Sequence, residues 1–260
     1  MKINKILLFG IVIIFLINVL TPTILSEENP RIIYVNDDGD KDYEHIQQAI
    51  NNASSGDTIY VFNGSYVENI LVNKSIMLIG EDKKTTVIDG YIFILDDMVK
   101  ISEFTINNPH DASAPTDNGI EIWSNYSIIT NNIISNNNDG IYIHDFNNNL
   151  LYHNNFINNT RNAYDEGNNT WYNLTLNQGN YWDDYHGTDK NNDGIGDTPY
   201  NFSSNVQDNF PLMNPYQGRI IIDKFYVDEF SVQLMLLVGM IATIIFCIPI
   251  GLWWRKKYFK

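Results

Sequence analysis

Cysteine is almost absent from this 260-residue chain: the single one, Cys247, lies inside a charge-free run, so no intrachain disulfide can form. Stability must come from packing, with a bound metal as the other resource. Basic residues are scarce as well, 16 Lys and Arg against 31 Asp and Glu. Six of the sixteen (Lys2, Lys5, Arg255, Lys256, Lys257 and Lys260) flank two long apolar runs. Residues 27–229 therefore hold 10 basic and all 31 acidic residues, a net charge of −21. Such a field excludes nucleic acid as a partner. Cations, and neutral rather than acidic glycans, suit it better. A helical period of 3.6 is also missing between Asn63 and Gln178, which removes an α-helical middle.

What the middle has instead is a repeat. The run from Asn125 to Asn137 returns 23 residues later as Asn148 to Thr160. In that register Ile128 falls on Leu151, Ile133 on Phe156 and Ile134 on Ile157, while Asn131, Asn132 and Asn136 fall on Asn154, Asn155 and Asn159. A fixed period in the low twenties marks a solenoid whose turns bury their apolar faces only against one another. Short β-type runs (Gly119 to Ile122, Ser127 to Ile129, Gly140 to Ile143) alternate with Asn, Asp and Gly, which tolerate left-handed turns. A leucine-rich repeat shares the period but needs a Leu-x-x-Leu-x-Leu pattern that is missing. The expected fold is an all-β right-handed parallel β-helix of six or seven rungs, with inward aliphatics in columns and turn asparagines in ladders. Tyr43 to Ala53 reads as a short capping helix with Ile46, Ala49, Ile50 and Ala53 on one face. The 23-residue register places both Ile133 and Phe156 in the core.

Several segments carry a family resemblance. Ile46 to Asn51, Gly56 to Val61, Gly64 to Tyr66 and Glu68-Asn69, followed by Leu78 to Asp82 and Thr86 to Gly90, resemble the opening of pectin-lyase-like β-helix proteins. The Asn-rich rungs resemble the NosD-type β-helix domain of surface proteins. The tail segments Gly179 to Tyr185, Asp193 to Tyr200 and Asp208 to Leu212 resemble the close of that domain. Together the resemblance covers roughly residues 31 to 216. It implies a fold and a surface location without fixing a reaction, and it raises copper, because the family is linked to copper-site maturation.

The ends suggest a membrane topology. Lys2 and Lys5 precede a charge-free run from Ile6 to Leu25, so residues 1–26 read as a signal peptide or an uncleaved signal anchor. The run 230–254 is also charge-free and would reach about 37 Å as a helix, enough to span about 30 Å of hydrocarbon. The basic tail 255–260 belongs inside, which puts the rest outside the cell membrane. Between the ends lie the β-helix (31–180), a C-terminal cap (181–216) and a stalk (217–229).

Four constellations could carry function. Asp189, Asn191, Asp193, Ile195 (by its carbonyl) and Asp197 match the first nine positions of a calcium loop, but Tyr200 stands where the bidentate glutamate belongs. Trp171, Tyr172, Tyr181, Trp182 and Tyr185 cluster beside that loop, either plugging the solenoid or offering rings for a sugar to stack on. If the protein is an enzyme, rung carboxylates Asp139, Asp145 and Glu121 are the acid–base candidates for cleaving a polysaccharide. The histidine and Arg-x-Lys signatures of polygalacturonase-like helices are absent, and so is a lyase motif. Copper would want a Met, Cys or His cluster, yet only His144 and His153 are near one another. Sequons stand at Asn52, Asn63, Asn73, Asn125, Asn158, Asn168, Asn173 and Asn201. Three functions compete: a non-catalytic surface protein that binds envelope glycans or surface proteins, a lyase or glycoside hydrolase, and a copper-site maturation factor. The balance of residues favours the first.

Overall fold

Asparagine doublets turn this chain, and the two members of each doublet do different work. In a computed structural model that describes residues 30–108, 117–202 and 206–218, the first members Asn131, Asn136, Asn148 and Asn158 have φ between 56° and 65°. That is the left-handed region, which Asn enters at lower cost than other non-glycine residues. The second members point inward and form ladders. Asn132 donates its backbone N–H (3.2 Å) and its Nδ2 (3.1 Å) to Asn154 Oδ1. Asn154 does the same to Asn180 Oδ1, and Asn180 to Asp208 Oδ2. A second ladder runs from Asn137 to Asn159, and a third from Ser127 through Asn149 to Asn169. Each corner thus satisfies amides that a bend would otherwise leave buried and unpaired.

Between corners the chain forms three short strands per turn. β1 (Ile32–Val35) leads through helix α1 (Ile46–Asn52) into β2 (Thr58–Val61), β3 (Gly64–Tyr66) and β4 (Ile70–Val72). The next turn is β5 (Met77–Gly80), β6 (Thr86–Asp89) and β7 (Ile92–Ile94). Then come β8 (Lys100–Ser102), β9 (Thr105–Asn107) and β10 (Ile120–Ile122), followed by β11 (Ile128–Thr130), β12 (Ile133–Ser135) and β13 (Asp139–Ile143). The last full turn is β14 (Leu150–Tyr152), β15 (Asn155–Ile157) and β16 (Arg161–Asp165), with β17 (Tyr181–Trp182) beginning another. Every third strand pairs in parallel, giving sheet A (β1-β2-β5-β8-β11-β14), sheet B (β3-β6-β9-β12-β15-β17) and sheet C (β4-β7-β10-β13-β16). The product is a right-handed parallel β-helix of about six turns.

Equivalent residues stack into core columns: Leu78, Ile101, Ile129 and Leu151 in sheet A, and Ile88, Ile106, Ile134, Phe156 and Trp182 in sheet B. The repeat is 22 residues, not 23. Ile134 pairs with Phe156 and Ile133 with Asn155, so Ile133 sits half-buried on the outer side of its strand. A slip of one residue exchanges the two faces of a strand, and the sequence register is corrected accordingly.

The N-terminal cap is α1, seven residues long and too short to persist without tertiary support. It buries Ile46, Ala49 and Ile50, and its first amides, Ile46 and Gln47, donate to the Glu68 carboxylate at 3.0 Å each. At the other end, Phe156, Trp182 and Tyr200 stack with centroids 4.3 and 4.4 Å apart, and Trp171 packs beside them. A small antiparallel pair, β18 (Tyr200–Asn201) and β19 (Gln207–Asp208), holds this plug. Among the described residues no helix is long and apolar enough to cross a membrane. The leader 1–26, the stalk beyond residue 218, the run 230–254 and the tail all lie outside the described residues.

Asp208 ends the longest ladder. Burial pushes its carboxyl up to about 6, against the amide and indole N–H groups that favour the charge. A carboxyl with a folded pKa above its unfolded value contributes most below about pH 4, and that contribution fades as pH rises through 6. The stability gap between the wild type and Asp208→Asn should therefore shrink by about 3 kcal/mol between pH 4 and pH 7. Denaturant titrations at each pH measure it; a constant gap would mean that Asp208 keeps its ordinary acidity.

Candidate functional site

Sheet C carries the most distinctive exposed surface. Its strands alternate inward aliphatics with outward rings and acids, as in Ile92-Phe93-Ile94, Ile120-Glu121-Ile122 and Ile141-Tyr142-Ile143. Parallel register stacks Leu71, Phe93, Glu121, Tyr142 and Tyr164 in one outer column. Trp123, His144 and Glu166 follow two residues further along their chains. The rings make a continuous ribbon: Tyr91 to Phe93 at 5.9 Å, Phe93 to Trp123 at 6.4 Å, Trp123 to His144 at 3.8 Å, His144 to Tyr142 at 4.1 Å, and Tyr142 to Tyr164 at 5.1 Å. It crosses four strands, β7, β10, β13 and β16, and at rung spacing is about 15 Å long. Trp123 is 41% exposed although flanked by rings on both sides.

Polar groups line this ribbon. Glu121 accepts from Asn118 Nδ2 (2.8 Å) and Trp123 Nε1 (3.3 Å), and His144 Nε2 lies 3.4 Å away. Tyr142 donates its hydroxyl to Glu166 at 3.0 Å; partial burial, with that bond, pushes the phenol up to about 12. Arg161 grips Asp139 with two bonds, 2.7 and 2.6 Å, and lies over the Tyr164 ring. Its bond to Asp139 holds the guanidinium above its usual range. Flat apolar faces edged by fixed donors and acceptors fit a ligand that is itself apolar on its faces and hydroxylated at its rim.

Residues 89–187 match the family model described as "Periplasmic copper-binding protein (NosD)". The matched stretch of the solenoid is of the NosD type. Solved structures similar to this chain include pectin methylesterase from carrot, with TM-score 0.39 and 16% identity, covering 57% of this chain and 60% of that one. Pectin methylesterase PemA from Erwinia chrysanthemi matches with TM-score 0.35 and 15% identity, over 48% of each chain. The chain thus spans about three-fifths or less of the length of these enzymes, and likeness at this level bears on neither substrate nor reaction. No curated protein matches the chain in sequence.

The NosD description names copper, and the described donors do not fit it. His144 follows a strand of sheet C and faces Glu121, whereas His153 follows a strand of sheet A, stacks on Tyr216 at 3.7 Å and meets Gln178 at 2.7 Å. Among the described residues no group of three or more His, Cys, Asp or Glu converges as a metal set. The calcium-like loop closes on itself through hydrogen bonds. Asp189 accepts the amides of Asp193 and Gly194, Asp193 accepts that of Ile195, and Asp197 accepts that of Lys190. Asn191 bonds Asp193 through its Nδ2. The same oxygens that the spacing assigns to a cation close Asx turns here.

Of the rings proposed from sequence for sugar stacking, Trp171 and Trp182 are 0% and 1% exposed, so neither offers a face. Tyr181 and Tyr185 are half-buried, the latter donating to Thr198 O. Glu121 and Asp139 lie on neighbouring strands of sheet C, and Asp145 is exposed just beyond His144. Sequons Asn52, Asn63, Asn73, Asn158, Asn168 and Asn201 are exposed, while Asn125 and Asn173 are half-buried. The sequence reading passed over Tyr91, Phe93, Trp123, Tyr142 and Tyr164. Part of their signal was present: Phe93, Glu121 and Tyr142 each stand between two isoleucines in successive turns.

Proposed function

We propose that this is a membrane-anchored surface protein whose NosD-type β-helix binds neutral polysaccharide along the outer face of sheet C. The observation that carries the reading is the unbroken ring ribbon from Tyr91 to Tyr164, exposed at Trp123. Pyranose rings stack on aromatic faces, and the exposed Glu166 supplies acceptors for hydroxyls. A net charge of −21 over residues 27–229 disfavours polyuronate chains. The periplasmic description of the matched family supports an extracytoplasmic site. The apolar runs at both ends supply the anchor.

The test is binding of full-length protein, solubilised in detergent, to a panel of neutral and acidic polysaccharides. Trp123→Ala and Tyr142→Ala should each weaken binding about tenfold or more, as loss of one stacked ring predicts. Tyr34→Ala, a ring exposed on sheet A, should leave it unchanged. Binding that survives both sheet C substitutions would sink the proposal. The placement of Glu121 and Asp139 on adjacent strands favours a second reading, hydrolytic cleavage. New chain ends in the same incubation, lost on Glu121→Gln, would establish it.

A further inference from the structure

Lys83 is the one lysine among the described residues to be buried, 3% exposed, and its surroundings are specific. The loop between β5 and β6 carries it to the corner between sheets A and B. There its Nζ donates to Asn131 Oδ1 at 3.2 Å and to Gly218 O at 2.9 Å. The Tyr216 ring lies over it with the centroid at 5.0 Å. Asn131 in turn donates its Nδ2 to Glu103 Oε1 at 2.5 Å. Asn131 is 4% exposed and Glu103 fully buried. The segment leading to Gly218 seals the corner, because Asn155 makes two bonds with the Tyr216 backbone and His153 stacks on its ring.

Two further facts set this corner apart. Glu103 has φ +65°, in the position that Asn131 and His153 occupy in the next two turns. A glutamate there lacks the local hydrogen bonding that lets Asn tolerate a left-handed backbone, and such strain is typical of residues kept for chemistry. Burial also lowers the Lys83 ammonium below the usual lysine range, against the opposing pull of Glu103. A buried amine beside an amide carbonyl, with a carboxylate on the amide nitrogen, holds every group needed for acyl transfer.

We infer that Lys83 and Asn131 become joined by an isopeptide bond, with Glu103 as the catalytic residue. Asn131 links the Lys83 ammonium at its Oδ1 to the Glu103 carboxylate at its Nδ2, and as Nζ swings over the amide toward Cγ its proton passes to Glu103, leaving a neutral amine. Nζ attacks Asn131 Cγ, the carbon bonded to the oxygen it already contacts. The Glu103 carboxyl gives its proton to Nδ2 and takes one from Nζ, so the Cγ–Nδ2 bond breaks as the Nζ–Cγ amide completes. Ammonia leaves and carries off the remaining proton as ammonium, returning Glu103 to carboxylate. Atoms and charge balance without oxidant, metal or co-reactant. The bond clamps residues 48 positions apart, across two turns, in an ectodomain that contains no cysteine.

Full-length protein, purified under native conditions and then digested with trypsin under denaturing conditions, gives the test by mass spectrometry. The expected product is a branched peptide joining Lys83 to Asn131, lighter than its two linear components by one ammonia, with no cleavage after Lys83. Lys83→Arg and Glu103→Gln should each return Asn131 to a linear peptide. Glu103→Gln with an unchanged circular dichroism spectrum separates the chemistry from folding. Only linear peptides from folded wild type would overturn the inference. A branched peptide that persists in Glu103→Gln would overturn the role given to Glu103.

Discussion

Phe156→Asp should abolish the folded protein, whereas Ile133→Asp should leave it folded. Phe156 is fully buried between Ile134 on one side and the stacked Trp182 on the other. An aspartate there would sit in a closed apolar column with no cation in reach, at a cost of several kcal/mol. Losing the stacked ring adds about 3 kcal/mol more. Against a domain stability of about 5–15 kcal/mol, little remains. Ile133 lies one residue from that column in sequence, yet it is half-buried on the outer side, beside Thr105 and Asn155. Its replacement should cost about 1 kcal/mol. Thermal melting of the two variants decides the matter: equal damage would refute the 22-residue register.

The second large effect concerns a polar residue. Asn154→Leu keeps size and shape, yet it should lower stability by about 3–6 kcal/mol and the melting temperature by about 10–20 °C. Asn154 Oδ1 accepts two bonds from Asn132, while its Nδ2 serves Ile129 O, Tyr152 O and Asn180 Oδ1. Leucine would strand all of these in a site where Asn154 is 0% exposed. Asn158→Gly is the contrasting case, since this exposed asparagine has φ +56° and glycine adopts that backbone freely. It should shift stability by under about 1 kcal/mol. Equal losses would mean that outer side-chain bonds, such as Asn158 Nδ2 to Asn136 Oδ1, hold the corners as firmly as the inner ladder.

The same asparagines explain what could be read from the sequence. Architecture was legible because Ile-x-Ile runs and turn residues recur with a period in the low twenties, and the α1 face was legible from Ile46, Ala49 and Ile50. The register was not, because a doublet such as Asn131-Asn132 looks alike when slid by one residue, although one member turns the chain and the other pairs inside it. His153-Asn154 resolves the ambiguity only once His153 is seen to hold a left-handed corner, at φ +60°. The ring ribbon on sheet C was hidden because neighbouring members stand up to 30 residues apart in sequence, whereas Trp171 to Tyr185 drew notice by crowding together. The acidic loop was ambiguous for a related reason: the spacing that can wrap a cation also suits Asx turns. Nothing local marks the Lys83 corner either, since Gly218 is 135 positions from Lys83.

The amide ladder from Asn132 to Asp208 has a direction. Every bond in it is donated forward along the chain, so each rung hands its need for an acceptor to the next. Asp208 ends this series because its ionised carboxylate accepts from Asn180 and passes no donor onward. Length is thus written in two separate places: turns of 18 to 28 residues repeat the ladder, and the carboxylate says where it ceases. A duplicate turn spliced between Asn132 and Asn154 would meet the same acceptor below and the same donor above. Its folded yield would measure how far this solenoid can be made longer without redesigning either end.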